Sequence, residues 1–431
     1  MRRAVVIVAG TLLSFAPLFV KFNRTLAQPL DRPAMNYFEF PKHTLRDPVS
    51  LLNQRIQQGT AGLRFENRAG YLRSVLDALD VPVESQMAVF SKSSLQLQRI
   101  EPANPRTIFF NDSAAVAWVR GGFIELASVD PQQGVLFYSL EQRPARKPRI
   151  EPREDCLGCH ISDVILGVPG MIIGSRFTAP TGMPLLILRG FTTDHRSPLE
   201  ERWGGWYVTG SAGAARHMGN VLIVDEDHPE TSLAGPPSIL KSLEGKFDTG
   251  AYLSPYSDVA SLMVFNHQMR MTTLLTRVGW EVRAALEERR DFAGLLRDDA
   301  KELVDYLLFV DEAPLAGKIR GNSGFAEKFA ARGPADTKGR SLRQLDLERR
   351  LLRYPCSYMI YSEQFDSLPE QARSAIYQRL WEILSGEEKG PKYARLSAAD
   401  RRAIVEILLE TKNGLPEYFQ PVSQRGRVSP P

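Results

Sequence analysis

The sequence predicts an α+β fold, with a β-rich N-terminal part followed by a mainly helical C-terminal part. Three observations predict it. Between residues 86 and 140, short runs of β-branched and aromatic residues are punctuated by turn residues. After about Pro237 the apolar spacing lengthens to the helical period. A chain of 431 residues, 43% hydrophobic and 24% charged, is also long enough for two domains with apolar cores. The expected boundaries are 1–27 for a leader, 28–237 for the mixed, β-rich domain and 238–431 for the helical domain.

The leader is read from its charges. Arg2 and Arg3 precede the uncharged run Ala4 to Val20, and Thr25-Leu26-Ala27 offers a small-residue cleavage site, giving a mature start near Gln28. Lys21 and Arg24 interrupt that arrangement, so the alternative is an uncleaved membrane anchor, for which an apolar run containing Pro17 is short. Both readings export the chain, and the expected location is periplasmic. Without the leader, 50 basic residues face 50 acidic ones, which argues against a nucleic-acid partner.

Downstream, Tyr71, Leu72, Val75 and Leu79 form a helical stripe within Ala69 to Leu79. Strands are expected at Gln86–Phe90, Thr107–Phe110, Ala115–Val119, Ile124–Val129 and Val135–Leu140, the last two joined by a turn at Asp130-Pro131-Gln132-Gln133-Gly134. Arg143 to Arg149 is a basic, proline-rich linker. Met171–Gly174 and Leu185–Leu188 have strand composition. The longest helix is expected from Ser257 to Glu288, with Met263, His267 and Met271 four apart on one stripe. Further helices are expected at Asp298–Val310, Gln371–Leu384 and Ser397–Thr411, the last capped by Ser397 three residues before Asp400. Gly317 to Arg340 reads as a glycine- and charge-rich break, and the aromatic run Tyr354 to Met359 encloses Cys356 as a buried, unpaired thiol.

Two of the three cysteines stand in Cys156-Leu157-Gly158-Cys159-His160, the spacing of c-type haem attachment. On one helical turn, residues three and four apart share a face, so both thiols and the imidazole point at one plane. The thiols then reach the two vinyl groups of a haem c, and His160 is its proximal iron ligand. Glu151, Glu154 and Asp155 precede the turn, where negative charge suits a helix N-terminus. A zinc site on the same three residues would need a distant fourth ligand, and a redox disulfide would need a thioredoxin-like setting that the Pro152 and glycine-rich flanks do not suggest.

With this motif the sequence resembles the c-type cytochromes. In small members of that family a proline follows the attachment motif and its carbonyl accepts the proximal histidine's N–H. Pro169, in Gly167-Val168-Pro169-Gly170, looks similar, and such an acceptor would orient the imidazole. Beyond Gly170 the chain departs from the small helical members. The stretch Asp194 to Asn220, with Trp203-Gly204-Gly205-Trp206-Tyr207 and Arg216-His217-Met218-Gly219-Asn220, looks like large single-haem exported cytochromes of unassigned role.

The second axial ligand decides between electron transfer and catalysis. Met218 and His217 sit in a glycine-flanked loop segment, His195 in a turn-rich stretch, Met183 in a methionine-proline loop and His267 on the long helix. His43 and His228 lie in expected surface loops. Arg176, Arg189, Arg196, Arg202 and Arg216 are candidate partners for haem propionates. The reading these residues favour is a one-electron carrier meeting a redox partner protein in the periplasm. The alternatives are a haem enzyme, peroxidase-like or acting on a small inorganic substrate, and a diatomic gas sensor with an open iron position.

Overall fold

The computed structural model describes residues 44–235 and 240–420. The expected leader at 1–27, His43, the boundary at Pro237 and the tail beyond Gln420 lie outside the described residues. The strands of the main sheet precede the long helices in the chain, so the molecule is α+β.

The first elements are helices α1 (Pro48–Gln58) and α2 (Leu72–Ala78), which precede a meander of strands. These are β1 (Met87–Val89), β2 (Arg106–Phe110), β3 (Ala114–Trp118), β4 (Ile124–Asp130), β5 (Gly134–Leu140) and β6 (Ile150–Pro152). A one-turn helix, α3 (Leu157–His160), follows, then the short strands β7 (Gly174–Ser175), β8 (Phe191–Thr192) and β9 (Trp206–Tyr207). The remaining helices are α4 (Pro229–Leu233), α5 (Val259–Glu287), α6 (Ala293–Leu307), α7 (Phe325–Ala331), α8 (Glu363–Asp366), α9 (Glu370–Ser385) and α10 (Ala398–Thr411).

The main sheet runs β6-β5-β4-β3-β2-β1-β9, and every pairing in it is antiparallel. Strand alternation divides its side chains between two apolar clusters. Val116, Trp118, Ile124, Leu126, Tyr138 and Leu140 face one side, where they pack against α1 and α2. Ala115, Ala117, Ala127, Val129 and Val135 face the other and join a cluster that extends through α5 to α10. The sheet is therefore covered on both faces, and one apolar core spans strands and C-terminal helices.

At 29 residues, α5 is about 43 Å long. It lies in the middle of the core with most of its side chains buried, including the predicted stripe of Met263, His267 and Met271. Its N-terminus is fixed by Asp258, whose Oδ1 accepts from the backbone N–H of Ala260 at 2.8 Å and of Ser261 at 3.3 Å. At α10 the Ser397–Asp400 capping box is present as the sequence suggests.

Two expected strands are corrected. Leu185–Leu188 is not a strand: Leu186–Leu188 forms a 3₁₀ turn that leaves Leu186 78% and Ile187 86% exposed. Within Met171–Gly174 only Gly174 is paired, in the two-residue strand β7. The cause is the turn just before β8. Arg189 (φ +58°) and Gly190 (φ +62°) are successive left-handed residues, which bend the chain away after two residues of pairing. Sequence reading also passed over α1, which Asp47 caps and Pro48 starts, and α7 inside the Gly317 to Arg340 break.

Gly205 shows how tightly the β1–β9 corner is built. It has φ +84°, its carbonyl accepts from Phe90 N–H at 2.8 Å, and a Cβ there would sit 2.5 Å from Ser91 Cβ. Gly205→Ala is expected to lower unfolding stability by about 1–3 kcal/mol, measured as a shift of the urea midpoint without change in slope.

Candidate functional site

The edge strand β6 delivers the chain to the cysteine turn. Its pairing with β5 is extended by Arg153 N–H donating to the Phe137 carbonyl at 2.8 Å. The backbone then coils through a 3₁₀ turn, Glu154–Cys156, directly into α3, so residues 154–160 form one helical stretch. Leu157 is buried and anchors the turn, whereas Cys159 is exposed and Cys156 half-buried, both as free thiols. A Cβ at Gly158 would meet nothing within 4 Å, so the outer surface of the turn is open.

Arg153 stiffens the entry. Its guanidinium makes two bonds to Asp155, at 2.9 and 2.6 Å, and lies over the Phe123 ring at 5.6 Å. That cation holds the Asp155 carboxyl below its usual range. Burial, reinforced by the Asp155 charge, pushes the Cys156 thiol up to about 11. At neutral pH it is a thiol, the opposite of the low-pKa thiolate that a redox-active cysteine pair uses.

His160 is held at both ends of its residue. Its Nδ1 meets the Gly170 carbonyl at 2.8 Å, and Gly170 N–H donates to the His160 carbonyl at 3.1 Å. The ring packs on Phe137 with centroids 4.6 Å apart. Burial lowers its pKa, opposed by the Gly170 carbonyl, so the imidazole is neutral at pH 7. With the proton on Nδ1, the lone pair is on Nε2. The acceptor that the sequence places at Pro169 is therefore Gly170, one residue on. The shift follows from the left-handed pair Leu166 (φ +61°) and Gly167 (φ +71°), which turns the loop so that the Gly170 peptide meets the ring. A Cβ at Gly170 would lie 3.0 Å from Thr273 Oγ1, so α5 presses the loop from behind.

The five candidates for a second ligand fall into three places. His195 and His267, 72 residues apart, are brought together: Nδ1 to Nδ1 is 2.7 Å. Their planes differ by 17° with centroids 5.0 Å apart, so the rings lie nearly edge to edge and share one proton. His267 Nε2 meets Ser357 Oγ at 2.7 Å, while His195 Nε2 is buried with no partner among the described residues. Tyr306 and Phe309 of the α6 region stack on both rings. Burial drives His267 down to about 3 and His195 well below its usual range.

Met218 and His217 are also buried. Ser175 Oγ donates to Met218 Sδ at 3.5 Å, and His217 sits at the edge of Trp203, 5.3 Å between centroids. Burial lowers His217 to about 4. Met183 is half-exposed in the hairpin where Thr178 bridges Pro184. No hydrogen bond or ring contact joins any of these five to His160 among the described residues. The sequence carried no signal that His195 and His267 would meet.

Other predicted side chains have local duties. Arg196 pairs with Asp194 at 2.6 Å, Arg202 is buried on the carbonyls of His195 and Ser197, and Arg176 bonds the Arg189 carbonyl. Arg216 bonds the carbonyls of Leu233 and Ala234. His228 is exposed and Cys356 fully buried. No group of three or more metal-ligating side chains occurs among the described residues. Nor is any helix among them long and apolar enough to cross a membrane.

No protein-family model, curated protein or solved structure matches this chain.

Proposed function

We propose that this chain is an exported monohaem c-type cytochrome that carries single electrons to or from a periplasmic redox partner. The observation that carries the reading is the His160–Gly170 bond at 2.8 Å, which leaves a neutral Nε2 lone pair on the same turn as two free thiols. Cys156 and Cys159 would hold the haem covalently and His160 would be its proximal ligand. Bound in this way, the group supplies a reversible one-electron site.

The protein's own part is positioning. Gly170 fixes the tautomer and tilt of the imidazole, Phe137 shields one side of the ring, and buried Leu157 keeps the thiols turned outward. Among the described residues no hydrogen bond engages either thiol or His160 Nε2, so this donor set suits the group. The basic linker Arg143–Arg149 is exposed over most of its length and leads into the turn, a charge that suits an acidic docking partner.

The test is expression of the whole chain with cytochrome c maturation machinery, read by visible spectra in the oxidised and dithionite-reduced states. Covalent haem is expected, surviving denaturation, and lost in the Cys156→Ser/Cys159→Ser variant. A low-spin iron in both states supports electron transfer. A high-spin ferric iron that reacts with peroxide would replace it with the enzyme reading, and reversible CO binding without turnover with the sensor reading. A wild-type chain without covalent haem overturns the proposal.

A further inference from the structure

A concave surface lies at the sheet end where β3 turns into β4 and β5 ends. It is a cleft of about 700 Å³, within the range of small-molecule sites, with buried Trp118 in its lining. Two glutamines build its walls. Gln96 donates to the Phe123 carbonyl at 3.0 Å and to Glu125 at 3.2 Å, and accepts from Phe123 N–H at 3.0 Å. Gln142 accepts from Tyr71 N–H at 2.9 Å and donates to the Ala69 carbonyl at 3.1 Å. Both glutamines lie where a side chain would otherwise project. A Cβ at Gly122 would be 2.0 Å from Gln96 Oε1, and one at Gly70 would be 2.3 Å from Gln142 Oε1. The cleft is thus set by the fold before anything enters it.

Its charge is one-sided. Arg68, Arg99 and Arg143 reach it from three separate segments, against Glu141 alone. None of the three forms an ion pair among the described residues, whereas Arg106, Arg120 and Arg153 nearby are all paired with carboxylates. Arg99 lies beside the bare backbone of Gly121, where NH1 is 3.4 Å from the place a Cβ would take. Three arginines against one carboxylate in a preformed hollow, with Arg68 also donating to the Gly250 carbonyl at 3.4 Å, are suited to carboxylate or phosphate oxygens.

We infer that this cleft binds a small organic anion bearing at least two acidic groups, carboxylate or phosphate. The inference stands apart from the haem reading, because none of its residues belongs to the cysteine turn. Failure of one leaves the other standing.

The test is isothermal titration of the full-length protein at low ionic strength with citrate and, separately, with pyrophosphate. Saturable one-to-one binding of at least one is expected, weakened about tenfold by Arg99→Gln and by Arg143→Gln. Arg297→Gln, on exposed α6 surface, is expected to change nothing. Binding of citrate alone assigns a carboxylate ligand, and of pyrophosphate alone a phosphate ligand. Binding of both shows that charge count decides. The proposal is overturned if neither saturates, or if the two cleft variants bind as the wild type does while melting at the same temperature.

Discussion

Lowering the pH from 6.5 towards 4.5 is expected to destabilise the folded protein by on the order of 2–3 kcal/mol per pH unit. The cause is three buried imidazoles, His195, His217 and His267, whose folded pKa values all lie below the ordinary 6.5. In the unfolded chain they take up protons as the pH falls through 6.5, while in the folded chain they do not. The unfolded state therefore binds more protons and gains in relative stability. The window closes near pH 4 for His217 and near pH 3 for His267, where the folded forms also protonate.

One group works against this trend. Burial raises the Glu312 carboxyl to about 7, so its folded form keeps a proton that the unfolded chain loses above about 4.5. Stability from that group falls as the pH rises, which offsets one imidazole and leaves a net of two. Urea denaturation at half-unit steps between pH 7 and 4.5 measures the slope. His217→Gln is expected to reduce it by about 1.4 kcal/mol per pH unit. A stability that stays flat across this range would mean that the imidazoles protonate as readily in the folded state as in the unfolded chain.

Asp258→Ala is expected to cost about 3–5 kcal/mol, enough to remove much of an ordinary domain's stability. Asp258 is fully buried and does more than cap α5. While Oδ1 accepts from Ala260 and Ser261, Oδ2 accepts from the N–H groups of Asn322 at 2.6 Å and Ser323 at 2.8 Å. One carboxylate thus satisfies four backbone donors and ties the long helix to the segment before α7. Alanine leaves all four without this acceptor, the buried pair at Ala260 and Ser261 away from water. Asp258→Asn keeps one acceptor oxygen and is expected to lose roughly half as much, so the pair of melting curves separates acceptor loss from loss of packing.

Much of this fold is legible in the sequence where the determinants are local. The strands from β2 to β5 follow from period-two alternation, because each face meets its own apolar cluster. The long helix, with Met263, His267 and Met271 in the core, and the Ser397–Asp400 cap are local patterns too. Illegible features depend on distant partners. Trp206–Tyr207 becomes a strand only because β1, more than 100 residues earlier, offers its edge. Leu185–Leu188 has strand composition and no strand beside it. At the candidate site, the cysteine turn is read directly from its spacing, yet its histidine's acceptor is displaced by one residue through two left-handed residues that no composition rule signals. The His195–His267 pair is wholly a product of tertiary structure, with 72 residues between its members.

The two bonds that join His160 and Gly170 have a consequence in time. They close a loop of ten residues, and loops of that length close in roughly 10–100 ns. Other parts of the molecule join across far longer separations, such as the bond between Ser261 and Ser85, 176 residues apart. The His160–Gly170 closure is therefore local and early, whereas the packing that locks it, Phe137 on the ring and α5 behind the loop, waits for the sheet and the long helix.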